Sequence, residues 1–165
     1  MIDPVTMQQL RRGLTGAALA ASLALLASPA SAGQCPADKT KAGVRTSGEM
    51  KPKDVTDNVL GMIELGQEKV ALADRRLRLR KLVVQPGGVV PWHSHEDRPA
   101  LITVVSGTVE EYASNCAVPI RHTAGDVSVE KLGVRHWWKN TGKTPAVLLS
   151  ADLFHDERHA DDHMM

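Results

Sequence analysis

The chain has 165 residues and a formal charge of +1; it is 42% hydrophobic but carries only three Trp, one Tyr and one Phe. A length of this order fits one domain with a real core, and the balanced charge offers no basic face for nucleic acid. Of the charged residues only Asp3, Arg11 and Arg12 precede residue 33, so the remainder is formally neutral.

Residues 1–32 read as a secretory signal peptide: Arg11 and Arg12, an apolar run from Leu14 to Ala27, then Ala30-Ser31-Ala32 with cleavage expected before Gly33. The apolar run is shorter than the ~20 residues a spanning helix requires. The expected product is a periplasmic or secreted protein with no membrane span in its mature form. The two arginines suit general export and also fit a twin-arginine signal.

Residues 33–54, rich in Lys, Gly, Pro and Thr, show no sustained period and read as an irregular arm. Cys35 lies in this arm and Cys116 in a segment that reads as a loop. In an exported protein they form the one available intramolecular disulfide; the alternatives are two free thiols, or Cys116 as a ligand.

From Val55 to Phe154, a predicted domain over 55–154, short apolar or alternating runs are punctuated by turn residues: VLGMIEL, RLRLRKLVV, Pro86-Gly87-Gly88, ALITVVSGTVEEYA, GDVSVEKLG, VRHWWKN and PAVLLSADLF. This punctuation predicts an all-β sandwich or barrel. Alternation of Arg76, Arg78 and Arg80 with Leu77 and Leu79 predicts that the arginines form the solvated face of a strand. The tail 155–165 places His155, His159 and His163 at helical spacing, and reads as a frayed polar end.

The chemistry concentrates in two segments. On a strand, His93 and His95 share one face and their imidazoles can reach a single metal. The second segment runs from Gly125 through Gly133 and His136 to Asn140. Gly87, His93, His95 and Gly107 match the spacing G(X)5HXH(X)3-4E(X)6G, and Gly125, Gly133, His136 and Asn140 match G(X)5PXG(X)2H(X)3N. Over roughly Leu77 to Phe154 the chain thus resembles the cupins. The resemblance implies a small antiparallel jelly-roll barrel with a metal in its mouth, held by His93, His95 and His136, and a homodimer as the candidate assembly.

Two positions depart from the pattern. Lys131 replaces the proline of the second motif, and Ala100 replaces the glutamate of the first, so no carboxylate from that position can reach the metal. The implied ligands are three neutral imidazoles, whose uncompensated metal charge favours water, hydroxide or an anionic ligand. Fe(II) is the favoured ion, with Mn, Zn, Ni and Cu as alternatives. Glu96 and Asp97 follow His95, but strand alternation aims Glu96 away. Glu110 and Glu111 are candidates to support the ligands from behind or to be plain surface carboxylates. Trp138 should share the His136 face and wall the pocket, with Trp92 and Trp137 facing away. Arg98 and Arg135 flank the ligand segments, either to bind an anionic substrate group or as surface charges. His122, in a polar segment without partner spacing, is expected to be exposed.

By resemblance, the site is that of a metal-dependent enzyme of dioxygenase type acting on a small molecule. A non-catalytic periplasmic module binding a metal or small ligand is the alternative, and an oligomerisation barrel with an empty triad a third. The fold alone does not choose among them.

Overall fold

The computed structural model describes residues 33–155; the expected leader, and His159 and His163 of the tail, lie outside the described residues. Eight strands follow one another: β1 (Lys53–Glu64), β2 (Arg75–Ser94), β3 (Ala100–Ser106), β4 (Thr108–Ala113), β5 (Ile120–Thr123), β6 (Val127–Glu130), β7 (Arg135–Lys139) and β8 (Ala146–His155). They join in the order β5-β4-β7-β2-β8-β3-β6, with β1 also on β2, and every ladder is antiparallel. The result is a nearly closed barrel, as the strand spacing predicts.

β2 gives the barrel its shape. Its first half, Arg75 to Val84, pairs with β8, and its second half, from Val89, pairs with β7. Pro86-Gly87-Gly88, expected to end a strand, instead forms an irregularity within one 20-residue strand. Gly87 has φ 77°, a left-handed conformation that costs a glycine little. The bend carries the chain from one side of the barrel to the other. At the β3–β4 turn Gly107 has φ 79°, and a Cβ there would stand 2.6 Å from the carbonyl oxygen of Pro145. These constraints explain two of the motif glycines.

Half of the interior is apolar, built on Leu82, Val84, Val90, Val104, Val109 and Leu148. The half towards the mouth is polar, and this reverses one expectation. Arg78 and Arg80 are 9% and 4% exposed while Leu77 and Leu79 are about 40% exposed, so the arginines face inward. Asp152 on β8 makes the inversion stable. It accepts two hydrogen bonds from Arg78, at 3.0 and 2.8 Å, and lies 3.3 Å from Arg80, which also pairs with Asp57. Buried charges persist only when paired in this way.

The arm is irregular apart from a single 3-10 turn at Ala37–Lys39, and it is fastened to the body. Cys35 and Cys116 form a disulfide with Cα atoms 5.8 Å apart. Arg45 donates to the carbonyls of Ala113 and Cys116, and Trp92 N–H donates to Glu49 O. Trp137, half-buried on the outer face, lies against Gly48 and stacks on Tyr112 at 4.1 Å.

Candidate metal centre

His93 lies one residue before the end of β2, His95 immediately follows the strand, and His136 lies directly across the β2–β7 ladder from His93. The pairing thus brings residues 43 positions apart into contact. The Nε2 atom of His93 is 3.0 Å from Nε2 of His95 and 3.1 Å from Nε2 of His136.

Each ring has an acceptor at its other nitrogen. His93 Nδ1 faces the Pro91 carbonyl at 2.7 Å, His95 Nδ1 the Arg98 carbonyl at 2.7 Å, and His136 Nδ1 the Glu111 carboxylate at 2.8 Å. A proton on each Nδ1 satisfies these acceptors and leaves three bare Nε2 lone pairs converging on one point. Imidazoles so oriented by backbone carbonyls and a carboxylate could hold a metal ion. His93 and His95 are held neutral: burial and the neighbouring imidazoles push His93 well below its ordinary value and His95 to about 3. The donor set and its protonation fit a divalent transition metal.

Behind His136 stand two buried carboxylates. Glu111, on β4, accepts from His136 and from Nε2 of His122 at 2.9 Å. Burial pushes its pKa up, but these two hydrogen bonds outweigh burial and hold it at about 2. Glu130, on β6, lies 3.3 Å from His136 Nδ1 and accepts from Ser128 at 2.6 Å; burial raises its pKa. Burial alone would lower the pKa of His136, yet the facing carboxylates raise it. The charge of an ion at the triad would therefore meet carboxylates behind His136, where the sequence led us to expect none.

His122 is the clear correction. It is fully buried, stacked on Trp138 at 4.6 Å and bonded to Glu111. The β4–β5 ladder puts His122 opposite Val109 on the inner face, a placement that depends on pairing rather than local polarity. Sequence reasoning also passed over Glu130 and Arg80. Their signal was the shared alternation of Ser128 with Glu130 and Ser150 with Asp152, polar on the same inward phase.

The remaining candidates separate cleanly. Trp138 is buried on the His136 face, its indole nitrogen 3.3 Å from Nδ1 of His136. Glu96 is exposed, and Asp97 pairs with Arg75 at 2.6 Å, so neither joins the triad. Arg135 is exposed, whereas the Arg98 side chain is only 12% exposed and points inward, 3.7 Å from Asp152. His155 ends β8 beside Asp97. Asn140 is structural: its side chain donates to the carbonyls of Val84 and Thr144, both at 2.8 Å.

A narrow cavity of about 20 Å3 opens beside the triad. Arg80, Arg98, Ser150, His93 and His95 form its polar wall, and Leu82, Val90, Ile102, Trp138 and Leu148 its apolar wall. Among the described residues no helix is long and apolar enough to cross a membrane.

The family model described as "Cupin domain" matches residues 80–152. The chain is similar to germin-like protein 5-1 of Oryza sativa subsp. japonica, 31% identical over 102 residues, covering 58% of this chain and 46% of that protein. It is also similar to auxin-binding protein ABP19b of Prunus persica, 35% identical over 74 residues, covering 43% of this chain and 35% of that protein. The chain thus spans less than half the length of these curated relatives. Among solved structures, a predicted oxalate decarboxylase from Thermotoga maritima aligns with a TM-score of 0.51 at 20% identity, covering 73% of this chain and 98% of that one. That likeness is one of fold.

Proposed function

The chain belongs to the cupin superfamily, and from that premise we propose that it binds one divalent transition metal through His93, His95 and His136 and acts on a small molecule as an exported, metal-dependent enzyme of dioxygenase type. The observation that carries the reading is the convergence of three Nε2 atoms, with that of His93 3.0 Å from His95 and 3.1 Å from His136, each ring oriented by an acceptor at Nδ1. Bound Fe(II) would supply the electron transfer through which dioxygen is added to a substrate. The protein's part is to hold His93 and His95 neutral, to orient His136 through Glu111, and to exclude water with Trp138, Val90 and Ile102. Ala100 keeps a fourth protein ligand out of the site and leaves room for an external one.

The alternative, a non-catalytic module binding a metal or small ligand, draws support from the carboxylates. Glu111, Glu130 and Asp152 are all committed to His136 or to arginines, so none stands ready as a general base. Dioxygen uptake by the iron-loaded protein, assayed with a panel of thiols, diketones and phenols, separates the two. Uptake that depends on one substrate class supports the enzyme; stoichiometric metal without turnover of any supports the module.

The assembly we propose is a homodimer. Leu79, Ala151, Leu101 and Val129 form one cross-strand row over β2, β8, β3 and β6, and Leu77 pairs with Ile63 beside it. Leu77, Leu79, Ile63, Leu101 and Val129 are 40–62% exposed on this outer face. The row continues onto β1, most of whose residues are exposed, and a self-complementary sheet face of this breadth suits a second copy of the chain. Light scattering should give twice the protomer mass, falling to one protomer in Leu79→Lys/Leu101→Lys; a monomeric wild type contradicts the dimer. The disulfide is consistent with an oxidising compartment, periplasmic or extracellular.

A further inference from the structure

His122 is a buried imidazole that the metal reading leaves half used. Its Nε2 faces the Glu111 carboxylate, which only accepts, so in the neutral ring the hydrogen sits on Nε2 and Nδ1 is an acceptor. Among the described residues Nδ1 has no hydrogen-bond partner, although the ring is 0% exposed. The residue lying over it is Gly33. A Cβ added there would stand 3.3 Å from His122 Nδ1, 3.3 Å from Asp126 Cβ and 3.5 Å from Asp126 Cγ. With φ 83° and no side chain, glycine fits so close an approach. The Gly33 amide cannot serve Nδ1, because its single hydrogen goes to the Arg121 carbonyl at 2.9 Å. An ammonium at the same nitrogen carries three hydrogens: it can keep the Arg121 bond and still donate to His122 and Asp126.

Gly33 is also where the sequence places cleavage of the leader. We propose that hydrolysis of the Ala32–Gly33 peptide bond creates a docked amino terminus, its ammonium held by the Arg121 carbonyl, His122 Nδ1 and the Asp126 carboxylate. An export peptidase is the catalyst and water the co-reactant. As the C–N bond breaks, the water's hydroxyl joins the Ala32 carbonyl carbon and its proton the Gly33 nitrogen; the acid so formed gives the amine its second proton. Cys35, two residues on, is bonded to Cys116, so the new terminus is tethered at its site and little chain entropy is lost in docking. The docked amine then begins a hydrogen-bonded chain that runs through His122 and Glu111 to His136. Its own contacts involve no metal, so the inference goes beyond the metal-binding reading and does not rest on it.

The N-terminal peptide of the exported protein, identified by mass spectrometry, should begin at Gly33; a chain that begins elsewhere overturns the proposal. Proteins starting at Gly33 and at Ala32, each released without added residues from a cleavable fusion and with the disulfide formed, are then compared by urea unfolding in the metal-free state. Taking the ammonium away from a buried acceptor should lower the folding equilibrium constant of the Ala32 form about tenfold. Asp126 also accepts from the backbone and hydroxyl of Thr123, at 2.6 and 2.9 Å, and Asp126→Asn disturbs those bonds equally in both forms. The substitution should nevertheless weaken the Gly33 form more than the Ala32 form, the coupling expected of two groups in contact. Equal urea midpoints for the two forms, or an Asp126→Asn loss of the same size in both, overturns the proposal.

Discussion

Glu130 is the direct ladder partner of Ala100, and its carboxylate stands 3.3 Å from Nδ1 of His136. The carboxyl group absent from position 100 is thus present one strand away, behind His136 instead of at the Nε2 face of the triad. With Glu111 it forms a carboxylate pair around a single imidazole.

Glu111 should then govern metal affinity without touching the metal. Glu111→Gln removes the charge that orients His136 at 2.8 Å, and should lower affinity about 10–100-fold. Glu130→Gln, acting across the longer contact, should cost less. Competition against a chromogenic chelator reads both; equal or negligible losses would remove Glu111 from the account.

Asp152 holds the polar half of the barrel together. It receives Arg78 at 3.0 and 2.8 Å and lies 3.3 Å from Arg80. Asp152→Ala leaves these guanidiniums buried without their carboxylate, a change that typically costs about 3–5 kcal/mol. Urea unfolding checks this, and a loss below about 1 kcal/mol, the usual size for an exposed pair, would mean the cluster is solvated.

The metal-free protein should weaken on acidification. His95 is held at about 3 and His93 well below 6.5, so between these values the unfolded chain binds protons that the fold does not. Stability therefore falls as pH drops through that window. Glu111, at about 2 in the fold against 4.5, adds a loss of the same sign from 4.5 downward. His136, raised above 6.5, works oppositely: its contribution is complete below 6.5 and is lost as pH rises through its folded value. Urea midpoints of the metal-free protein should decline from about neutrality towards about pH 4, and His95→Asn should flatten the slope. A midpoint that rises on acidification contradicts this balance.

The Cys35–Cys116 bridge closes a separation of 81 residues. On the chain-entropy estimate a loop of this length contributes about 4 kcal/mol. The Cys35→Ser/Cys116→Ser protein should unfold at correspondingly lower urea, with reduced wild type matching it; unchanged midpoints would show that the arm adds nothing to stability.

The sequence makes the triad legible because two independent features coincide: His93 and His95 at strand period, and His136 at the matching place in a second motif. The Arg75–Lys81 stretch misleads because the rule that apolar side chains face inward assumes an oily interior. In the mouth half of this barrel the interior is ionic, and Leu77 and Leu79 are turned outward. Position 122 misleads for a related reason. A polar residue in a short strand shows its facing only through its neighbours, and Glu111 lies on a strand whose pairing local sequence does not reveal. Arg98 was visible as a candidate by its proximity to His95, but its inward direction depends on Asp152, far along the chain.

Elemental analysis of the exported protein beside His136→Ala decides whether the triad holds metal. One transition-metal ion per chain is expected in the wild type and its loss in the variant, with the barrel still folded. Metal retained at full stoichiometry in His136→Ala would contradict that expectation.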